Sequence, residues 1–407
     1  MFIGIDLGTS SVKTILIDEN QNTLATKTEL ISIKNPKNGY YEQNPEEWYE
    51  ATLKCFDYLK KQKSKEFCET LALSISGQMH GATLLDQDAK VLRDCILWND
   101  TRSSEECEEM EKQCSNLREI SGNIAMPGFT APKLLWVKNN EPEIFKKIDK
   151  VLLPKDYLRL RLSGEFVTDP SDASGTLWLD VKKRNWSEKL LETTFLSIEN
   201  MPRIVEGSES SGEISKSIKE HFGFSHNVII AGGAGDQAAG AAGSGVISPN
   251  QAVLSLGTSG VYFSPTGKFS SNTLKAVHSF CHCIPNTWHH MSVMLSASNC
   301  IDWVSKIYGI SIEDFYKIVD DFVLGMNNIL KAPFFLPYLS GERTPHNNAF
   351  IRAGFHCVTT STTKAEMMYA VLEGIIFGLR DGFEAVNEIN NHTDETFVVG
   401  GGAKSET

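Results

Sequence analysis

Short apolar runs separated by turn residues open the sequence. Phe2–Asp6 and Val12–Asp18 are rich in apolar and β-branched residues, and the turn Gly8-Thr9-Ser10-Ser11 lies between them. A third run of this kind covers Thr23–Ser32, after the polar stretch at 19–22. Runs of this length, bounded by turn residues, are typical of β-strands. The pattern predicts that the chain begins with three strands.

Helical and strand patterns then alternate along the chain. Asn44 and Pro45 favour the start of a helix, and apolar residues share one face of that helix as far as Leu59. The same reasoning predicts strands at 71–76, 82–86, 228–230, 252–256, 261–263 and 396–399, helices after Arg102 and Ala131 and at 311–324 and 364–389, and a polar loop at 206–213. The alternation predicts a protein of mixed α and β structure.

One short segment occurs twice in the same context. Leu7-Gly8-Thr9-Ser10 recurs as Leu256-Gly257-Thr258-Ser259, and both copies connect two short apolar strands. Two copies indicate a duplication and not a repeat array. We therefore predict two domains, residues 1–247 and 248–407, with the boundary at Ser248-Pro249-Asn250.

Composition and charge restrict the class of protein. The 407 residues suffice for two or three domains, and a hydrophobic fraction of 41% is ordinary for a globular protein. No apolar run approaches the ~20 residues of a membrane-spanning helix, and the N-terminus lacks the basic region of a signal peptide. Nine scattered cysteines favour reduced thiols in the cytoplasm. A net charge of -12 argues against nucleic acid and anionic membranes as partners.

Both Gly-Thr-Ser turns are suited to binding phosphate, because small residues between strands let several backbone N–H groups point at one anion. Two unrelated hairpins are the alternative. Asp6 precedes the first turn, whereas Ser255 occupies the matching position before the second. A carboxylate beside a phosphate requires a cation between them, and Mg²⁺ binds both kinds of oxygen. Asp6 is therefore the candidate metal-associated carboxylate, with the capping of a turn as its alternative role.

A glycine-rich segment after the strand at 228–230 contains the candidate base. Residues 231–240 read Ala-Gly-Gly-Ala-Gly-Asp-Gln-Ala-Ala-Gly, and such small residues allow a ligand to approach the backbone closely. Asp236 would stand at the start of a helix. There it could accept the proton of a hydroxyl group during phosphoryl transfer, or it could cap the helix. The residues alone leave both roles open.

Amide, imidazole and aromatic groups follow two other predicted strands. The segment Ser76-Gly77-Gln78-Met79-His80-Gly81 ends one of them, and Gln78 and His80 suit the recognition of hydroxyl groups. A buried, hydrogen-bonded core histidine is the alternative for His80. Trp98 and Asn99 could form a wall against a sugar ring or serve in packing alone.

Two further segments are weaker signals. Gly400-Gly401-Gly402-Ala403 follows the last predicted strand and could lie against a nucleotide, although the chain has no Gly-x-x-x-x-Gly-Lys-[Ser/Thr] motif. Another short stretch is crowded with histidine and cysteine: His278, Cys281, His282, Cys283, His289 and His290. Its spacing lacks the paired cysteines of a structural zinc site, so no metal is expected there.

The motifs around Asp6, the second Gly-Thr-Ser turn, Asp236 and the glycines at 400–402 together resemble those of the FGGY carbohydrate kinases, which belong to the actin, Hsp70 and sugar kinase superfamily. The stretch Gly128–Asn140 is similar to a signature of the same family, and the resemblance runs nearly end to end. It implies an α/β fold of two duplicated ribonuclease-H-like domains with an active-site cleft between them. It also implies ATP and Mg²⁺.

The resemblance is strongest to family members that act on ketopentoses, through the segments 77–83, 96–100, 152–157 and 337–345. The implied reaction is the ATP-dependent phosphorylation of D-xylulose to D-xylulose 5-phosphate. The alternatives are a kinase for another ketose or polyol such as ribulose or glycerol, a non-catalytic sugar sensor, and a nucleotide-dependent conformational protein. The resemblance implies no nucleic acid or membrane partner. It leaves open whether the protein forms a homodimer.

The motifs and the resemblance together assign the site. The catalytic residues would be Asp236, as the base, and Asp6, and both would hold Mg²⁺ partly through water. The sugar would contact Gln78, Met79, His80, Trp98, Asn99 and Gln237, and the nucleotide would contact Gly8, Thr9, Ser10, Lys13, Gly257, Thr258, Gly401 and Gly402.

Two positions depart from the family pattern. Gln237 stands where asparagine is expected after the catalytic aspartate, which would alter the contacts to the acceptor. The chain ends at Thr407, where family members continue with a helix and further strands. The second domain is therefore expected to be truncated on its adenine side.

Overall fold

The computed structural model describes residues 1–324, 332–390 and 393–404. The chain forms two compact units. The first contains Met1–Gly243 and the excursion Phe280–Thr287, and the second contains Ser244–Ser279 and the described residues from Trp288 onward. Of the helices in these ranges, none combines the length and the apolar character that crossing a lipid bilayer requires.

The first unit alternates strands and helices. Its strands are β1 Phe2–Leu7, β2 Ser11–Ile17, β3 Thr23–Leu30, β4 Glu42–Gln43, β5 Ala72–Gly77, β6 Thr83–Leu85, β7 Cys95–Ile96, β8 Lys150–Leu152, β9 Val167–Thr168, β10 Leu179–Asp180, β11 Asn185–Trp186, β12 Arg203–Ile204, β13 Ser210–Glu213, β14 Ile229–Ala231 and β15 Ala234–Gly235. Its helices are α1 Pro45–Gln62, α2 Ser64–Cys68, α3 Ser104–Gln113, α4 Leu117–Ser121, α5 Thr130–Asn140, α6 Pro142–Phe145, α7 Pro154–Ser163, α8 Pro170–Ala173, α9 Glu188–Glu192, α10 Lys216–Phe222 and α11 Asp236–Gly243.

A mixed sheet forms the core of the first unit, in the order β13-β14-β5-β1-β2-β3, with β15 also paired to β5. Strand β1 is antiparallel to β2 and parallel to β5. Ile3, Ile5 and Leu7 alternate along β1 and are buried, because successive side chains of a strand point to opposite faces. Helix α1 covers this face, with Trp48 and Phe56 in the same apolar cluster.

The second unit repeats this arrangement. Its strands are β16 Gln251–Leu256, β17 Gly260–Thr266, β18 His278–Cys281, β19 Trp288–Met294, β20 Phe334–Leu336, β21 Gly354–His356 and β22 Glu395–Val399, and its helices are α12 Ser298–Tyr308, α13 Ile312–Leu324 and α14 Lys364–Asn387. The main sheet has the order β18-β19-β17-β16-β22. Strand β16 is antiparallel to β17 and parallel to β22, as β1 is to β2 and β5. The duplication predicted from the repeated turn is confirmed.

Two details differ from the predicted organisation. The first unit ends at Gly243 and also contains residues 280–287, which the prediction assigned to the second domain. Arg184 holds this excursion by donating to the carbonyl oxygens of Thr287 (2.7 Å) and His282 (3.1 Å). The predicted loop at 206–213 is partly wrong, because Ser210–Glu213 forms β13 at the edge of the sheet. Its polar residues suit an edge strand.

Candidate active site

Three parallel strands of the first unit end at the same edge of the sheet. Strands β1 and β5 pair with Asp6 opposite Ser76, and β15 and β5 pair with Gly235 opposite Gly77. Asp236 follows β15 directly and begins α11. Ligand sites of such sheets lie at the carboxyl ends of the strands. This edge brings together Asp6, Asp236 and the predicted sugar motif that follows β5.

Asp6 presents its carboxylate at the surface of this edge. The hydroxyl of Ser76 donates to its Oδ1 at 2.8 Å, and the side chain remains exposed. Lys13 lies directly opposite on β2, so the two side chains share one face. Carboxylate oxygens at the surface are ligands of the kind that Mg²⁺ prefers. The carboxylate of Asp6 therefore suits the binding of a magnesium ion beside the first turn.

Asp236 is partly buried where β15 meets α11. Burial raises the pKa of Asp236 to about 6, with a smaller opposing effect of the hydrogen bond to Gln237 and a smaller supporting effect of the negative charge of Asp6. A carboxylate with a pKa near neutrality is basic enough to accept a proton and is still largely ionised at neutral pH. The position can therefore serve proton transfer as well as helix capping.

Buried side chains that the sequence analysis did not identify form hydrogen bonds with the glycine-rich segment before Asp236. The guanidinium of Arg159 donates to the carbonyl oxygens of Ala231 (2.7 Å) and Gly232 (2.6 Å). The hydroxyl of Ser171 accepts from the backbone N–H of Gly235 at 3.1 Å. In the sequence, Arg159 is an arginine between two leucines, and this pattern gives no sign of its contacts.

A second missed feature lies next to Arg159 and is a fully buried cluster of charges. The ammonium of Lys155 lies 2.5 Å from Asp156 Oδ1, 2.9 Å from Asp169 Oδ1 and 3.4 Å from Asp172 Oδ2. All of these side chains are 0% exposed. Burial raises the pKa of Asp172 well above its usual range, although Lys155 opposes the shift. Lys155 thus neutralises the negative charge of buried acidic residues next to Arg159.

His80 has a defined ring orientation. Its backbone is left-handed, with φ of 69°, a conformation that is rare outside glycine and common at functional sites. Its Nδ1 lies 2.6 Å from the carbonyl oxygen of Gly175. A carbonyl can only accept, so Nδ1 carries the proton, and in the neutral ring Nε2 is then an acceptor. The side chain suits the recognition of a hydroxyl donor.

Met79 packs against the residue that precedes the candidate base. A Cβ atom on Gly235 would lie only 3.0–3.2 Å from the Cγ, Sδ and Cε atoms of Met79. The absence of a side chain at Gly235 therefore allows this close contact. Met79 thus lies beside the segment that leads into Asp236, and its predicted contact with the sugar stays a prediction.

Gln78 supports the first turn from the interior. It is only 2% exposed, and its Nε2 donates to Oε1 of Gln43 at 2.8 Å. Gln43 in turn donates to the carbonyl oxygen of Thr9 at 2.6 Å, and Trp98 Nε1 donates to Thr9 Oγ1 at 3.0 Å. The predicted sugar contact of Gln78 stays a prediction, and the geometry assigns it a supporting position. The side chains of Ser10, Trp98 and Gln237 are exposed, whereas Asn99 is partly buried.

The predicted nucleotide residues of the second unit lie together. The turn Gly257-Thr258 connects β16 to β17, and the glycines at 400–402 follow β22, which is the parallel neighbour of β16. Gly400 packs on the carbonyl of Leu256, since a Cβ atom there would lie 2.4 Å from that oxygen. The amides of Ala297 and Ser298, at the start of α12, donate to the carbonyl oxygens of Thr258 and Gly257.

An apolar cavity of about 370 Å³ adjoins these glycines, with Ile301, Leu372 and Gly402 in its wall. A Cβ atom on Gly401 would meet nothing within 4 Å, and one on Gly257 would first meet Ser259 O at 3.7 Å. Neither residue has a positive φ. The fold therefore does not require glycine at Gly257 or Gly401, and bare backbone there suits the close approach of a ligand.

The histidine and cysteine stretch lies on β18 and β19 and in the segment that connects them. His290 Nε2 lies 2.8 Å from the carbonyl oxygen of Ser270, and burial lowers the pKa of His290 to about 4. This ring is neutral and structural at physiological pH. In the ranges that the structure describes, no group of three or more histidine, cysteine or acidic residues is arranged to hold a metal ion.

Family models match both halves of the chain. The N-terminal domain model of the FGGY family of carbohydrate kinases matches residues 1–243, and the C-terminal domain model of the same family matches residues 252–407. The two matches coincide closely with the two structural units.

Individual relatives are similar over nearly the whole chain. The chain is 48% identical to the xylulose kinase of Escherichia coli K12 over 407 residues, which cover all of this chain and 83% of the relative. It is 45% identical to the xylulose kinase of Klebsiella pneumoniae over 99% of this chain and 82% of the relative. The crystal structure of a xyloylose kinase from Brucella ovis matches with a TM-score of 0.96 and 45% identity, over 99% of this chain and 82% of that one.

Proposed function

Because the chain belongs to the FGGY family of carbohydrate kinases, we propose that it phosphorylates D-xylulose with ATP, giving D-xylulose 5-phosphate and ADP. The observation that carries the proposal is that β1 with Asp6, β5 before His80 and β15 before Asp236 end at one sheet edge, where burial raises the pKa of Asp236 to about 6. The xylulose kinases among its relatives support the choice of acceptor.

Asp236 is the base of the proposed reaction. Its carboxylate takes the proton of the terminal hydroxyl while the new O–P bond forms and the bond from the γ-phosphorus to the β,γ-bridging oxygen breaks. Asp6 and Asp236 would hold Mg²⁺, partly through water. The ion would supply positive charge to the phosphate oxygens.

The sugar is bound by the residues after β5 and their neighbours. His80 Nε2 accepts from a hydroxyl of the ketose, and Met79 contacts its carbon chain. The remaining proposed contacts are Trp98, Asn99 and Gln237, with Gln78 supporting them through Gln43. Groups of this kind discriminate against analogues that leave them unpaired.

The nucleotide is bound by backbone more than by charged side chains. The first turn, with Gly8, Thr9, Ser10 and Lys13, takes phosphate oxygens in our proposal. In the second unit Gly257, Thr258, Gly401 and Gly402 contact the nucleotide, and the apolar cavity beside Gly402 accepts the adenine ring. We place the enzyme in the cytoplasm, where ATP and free ketoses occur, and a homodimer stays an untested expectation.

A panel of acceptors tests the function. Release of ADP from Mg²⁺-ATP would be measured by a coupled assay with D-xylulose, D-ribulose, glycerol and gluconate, and we expect the highest kcat/KM for D-xylulose. A higher value for another acceptor would retain the kinase and reject D-xylulose as its substrate. Absence of turnover, together with D-xylulose binding in calorimetry, would instead identify a sugar sensor.

The pH dependence of the reaction should report the base. The pKa of Asp236 is raised to about 6, and only the ionised carboxylate can accept a proton. We therefore expect kcat/KM for D-xylulose to fall about tenfold per pH unit below pH ~6 and to be level above it. Rate profiles between pH 5 and 8 at saturating Mg²⁺-ATP would check this. A profile that is level down to pH 5 would contradict the assignment.

Gly401 provides a test of the nucleotide site. Because a Cβ atom there meets nothing within 4 Å, Gly401→Leu should fold normally while its side chain occupies the space of the nucleotide. We expect the KM for ATP to rise at least about tenfold, equivalent to ~1.4 kcal/mol, with the KM for D-xylulose unchanged.

Gly354→Leu is the matched control for this variant. Gly354 lies on β21 of the same unit, and a Cβ atom there would first meet His356 Nε2 at 3.7 Å. The control should keep the wild-type KM for ATP. Equal KM values for ATP in the Gly401→Leu variant and the wild type would remove Gly401 from the site.

A further inference from the structure

His80 depends on other residues for its conformation. Its left-handed backbone, with φ of 69°, is unfavourable for a residue with a Cβ atom and persists only where the surroundings enforce it. One of these constraints is the contact between Nδ1 and Gly175. A second acts on the backbone carbonyl oxygen of His80, which accepts two hydrogen bonds.

Both donors to this carbonyl come from α5. The ammonium of Lys133 donates to His80 O at 2.8 Å, and the hydroxyl of Thr130 donates to the same oxygen at 3.1 Å. Residues three positions apart lie on one face of a helix, so the first turn of α5 presents both groups together. They enclose the carbonyl of His80.

Lys133 also connects His80 to the backbone near Trp98. Its ammonium donates to the carbonyl oxygen of Gly128 at 2.8 Å. Gly128 packs closely on Trp98, since a Cβ atom at Gly128 would lie 2.7 Å from Trp98 O. One side chain therefore joins segments that carry two of the proposed sugar contacts.

The stability of the fold does not explain this lysine. Lys133 is 0% exposed, and its ammonium is bonded to carbonyl oxygens, whereas the buried Lys155 is paired with carboxylates. Burial lowers the pKa of Lys133 to about 7, which shows how poorly the site suits a charge. Burying a charge without a paired opposite charge is costly. The advantage of lysine must therefore lie in what it holds in place.

We propose that Lys133, together with Thr130, is a positioning residue of the sugar site, which holds the His80 carbonyl so that the imidazole presents Nε2 to the acceptor sugar. The inference rests on the proposed function and extends it to residues that do not contact the sugar. The ring is held at Nδ1 by Gly175 and packs edge-to-face on Phe129 at 4.9 Å. Gly175 and Phe129 hold the ring, and Lys133 and Thr130 hold the backbone carbonyl. Together these contacts favour one direction for Nε2.

The test separates positioning from folding. Lys133→Met keeps most of the length of the side chain but removes its donors. We expect the KM for D-xylulose to rise about 10–100-fold, with kcat and the KM for ATP within about twofold of wild type. The thermal unfolding midpoint should change little, because the lost donors to His80 O and Gly128 O are offset by the removed cost of burying a charge. Lys138→Met, on the same helix but partly exposed, is the control and should change none of these quantities.

A second pair of variants keeps the inference testable if Lys133→Met folds poorly. Thr130→Val removes the hydroxyl with little change of shape and should raise the KM for D-xylulose about 3–10-fold, since one of the two donors to His80 O remains. Thr130→Ser retains the hydroxyl and should restore the wild-type value. Equal KM values for Val and Ser would overturn the role of Thr130.

A double-mutant cycle shows whether Lys133 acts through His80. In a His80→Ala background, Lys133→Met should raise the KM for D-xylulose no further, because the residue it positions is gone. An equal rise in both backgrounds, or a parallel loss of kcat and of thermal stability, would overturn the inference. Failure of the wild-type protein to phosphorylate D-xylulose would reject the proposed function instead, so the two failures are distinct.

Discussion

Replacing Asp236 with asparagine is expected to lower kcat for D-xylulose phosphorylation by about 10²–10⁴-fold, the usual contribution of a positioned general base. The amide has nearly the same shape as the carboxylate but cannot accept the proton of the acceptor hydroxyl. Asp236 lies at the end of β15, on the segment held by Arg159 and Ser171. The substitution therefore leaves the geometry of the site intact and removes its basicity.

The measurement is the steady-state rate of ADP release at saturating D-xylulose and Mg²⁺-ATP. The KM for ATP should change little, because the proposed nucleotide contacts lie on other residues and the Asp6 carboxylate remains for Mg²⁺. Residual activity in Asp236→Asn should also lose the dependence on a group of pKa about 6. Asp57→Asn, on the exposed face of α1, should behave as wild type. Turnover at the wild-type rate in Asp236→Asn would exclude Asp236 as the base.

The strand ends that form the site could be predicted because their signals are local. Apolar alternation defines β1 and β16 within a few residues, and the Gly-Thr-Ser turns mark where each strand ends. The duplication then followed from comparing two short segments. The same local reading could not decide whether Asp236 caps a helix or acts as a base, because the pKa of a carboxyl depends on burial by distant parts of the chain.

The supporting residues could not be predicted because their partners are distant in sequence. Arg159 binds carbonyls more than 70 positions away, and the carbonyl that Lys133 holds belongs to a residue 53 positions before it. Lysine and arginine on a helix usually indicate a solvated face. Here they are buried, and only the tertiary structure shows which carbonyl oxygens accept hydrogen bonds from them.

The buried cluster around Lys155 is the place where one substitution should most affect stability. Lys155→Met is expected to lower the free energy of unfolding by about 3–5 kcal/mol, because it leaves carboxylates buried without their cation. Asp156 and Asp169 lie 2.5 Å and 2.9 Å from the ammonium, with no exposed surface through which water could replace it. Chemical denaturation at pH 7 would measure the loss.

The deficit of Lys155→Met should shrink in acid. Burial already raises the pKa of Asp172, and Lys155 opposes that shift, so the variant should raise the pKa of Asp172 further. A carboxyl whose folded-state pKa lies above its unfolded-state value contributes stability at low pH. This contribution is lost as the pH rises through the folded-state pKa. The difference from wild type should therefore be smaller at pH 4 than at pH 7. Lys183→Met, at an exposed ion pair with Asp180, should stay within about 0.5 kcal/mol of wild type at both values. A Lys155→Met deficit that does not change with pH would show that lost packing, and not unpaired charge, determines its stability.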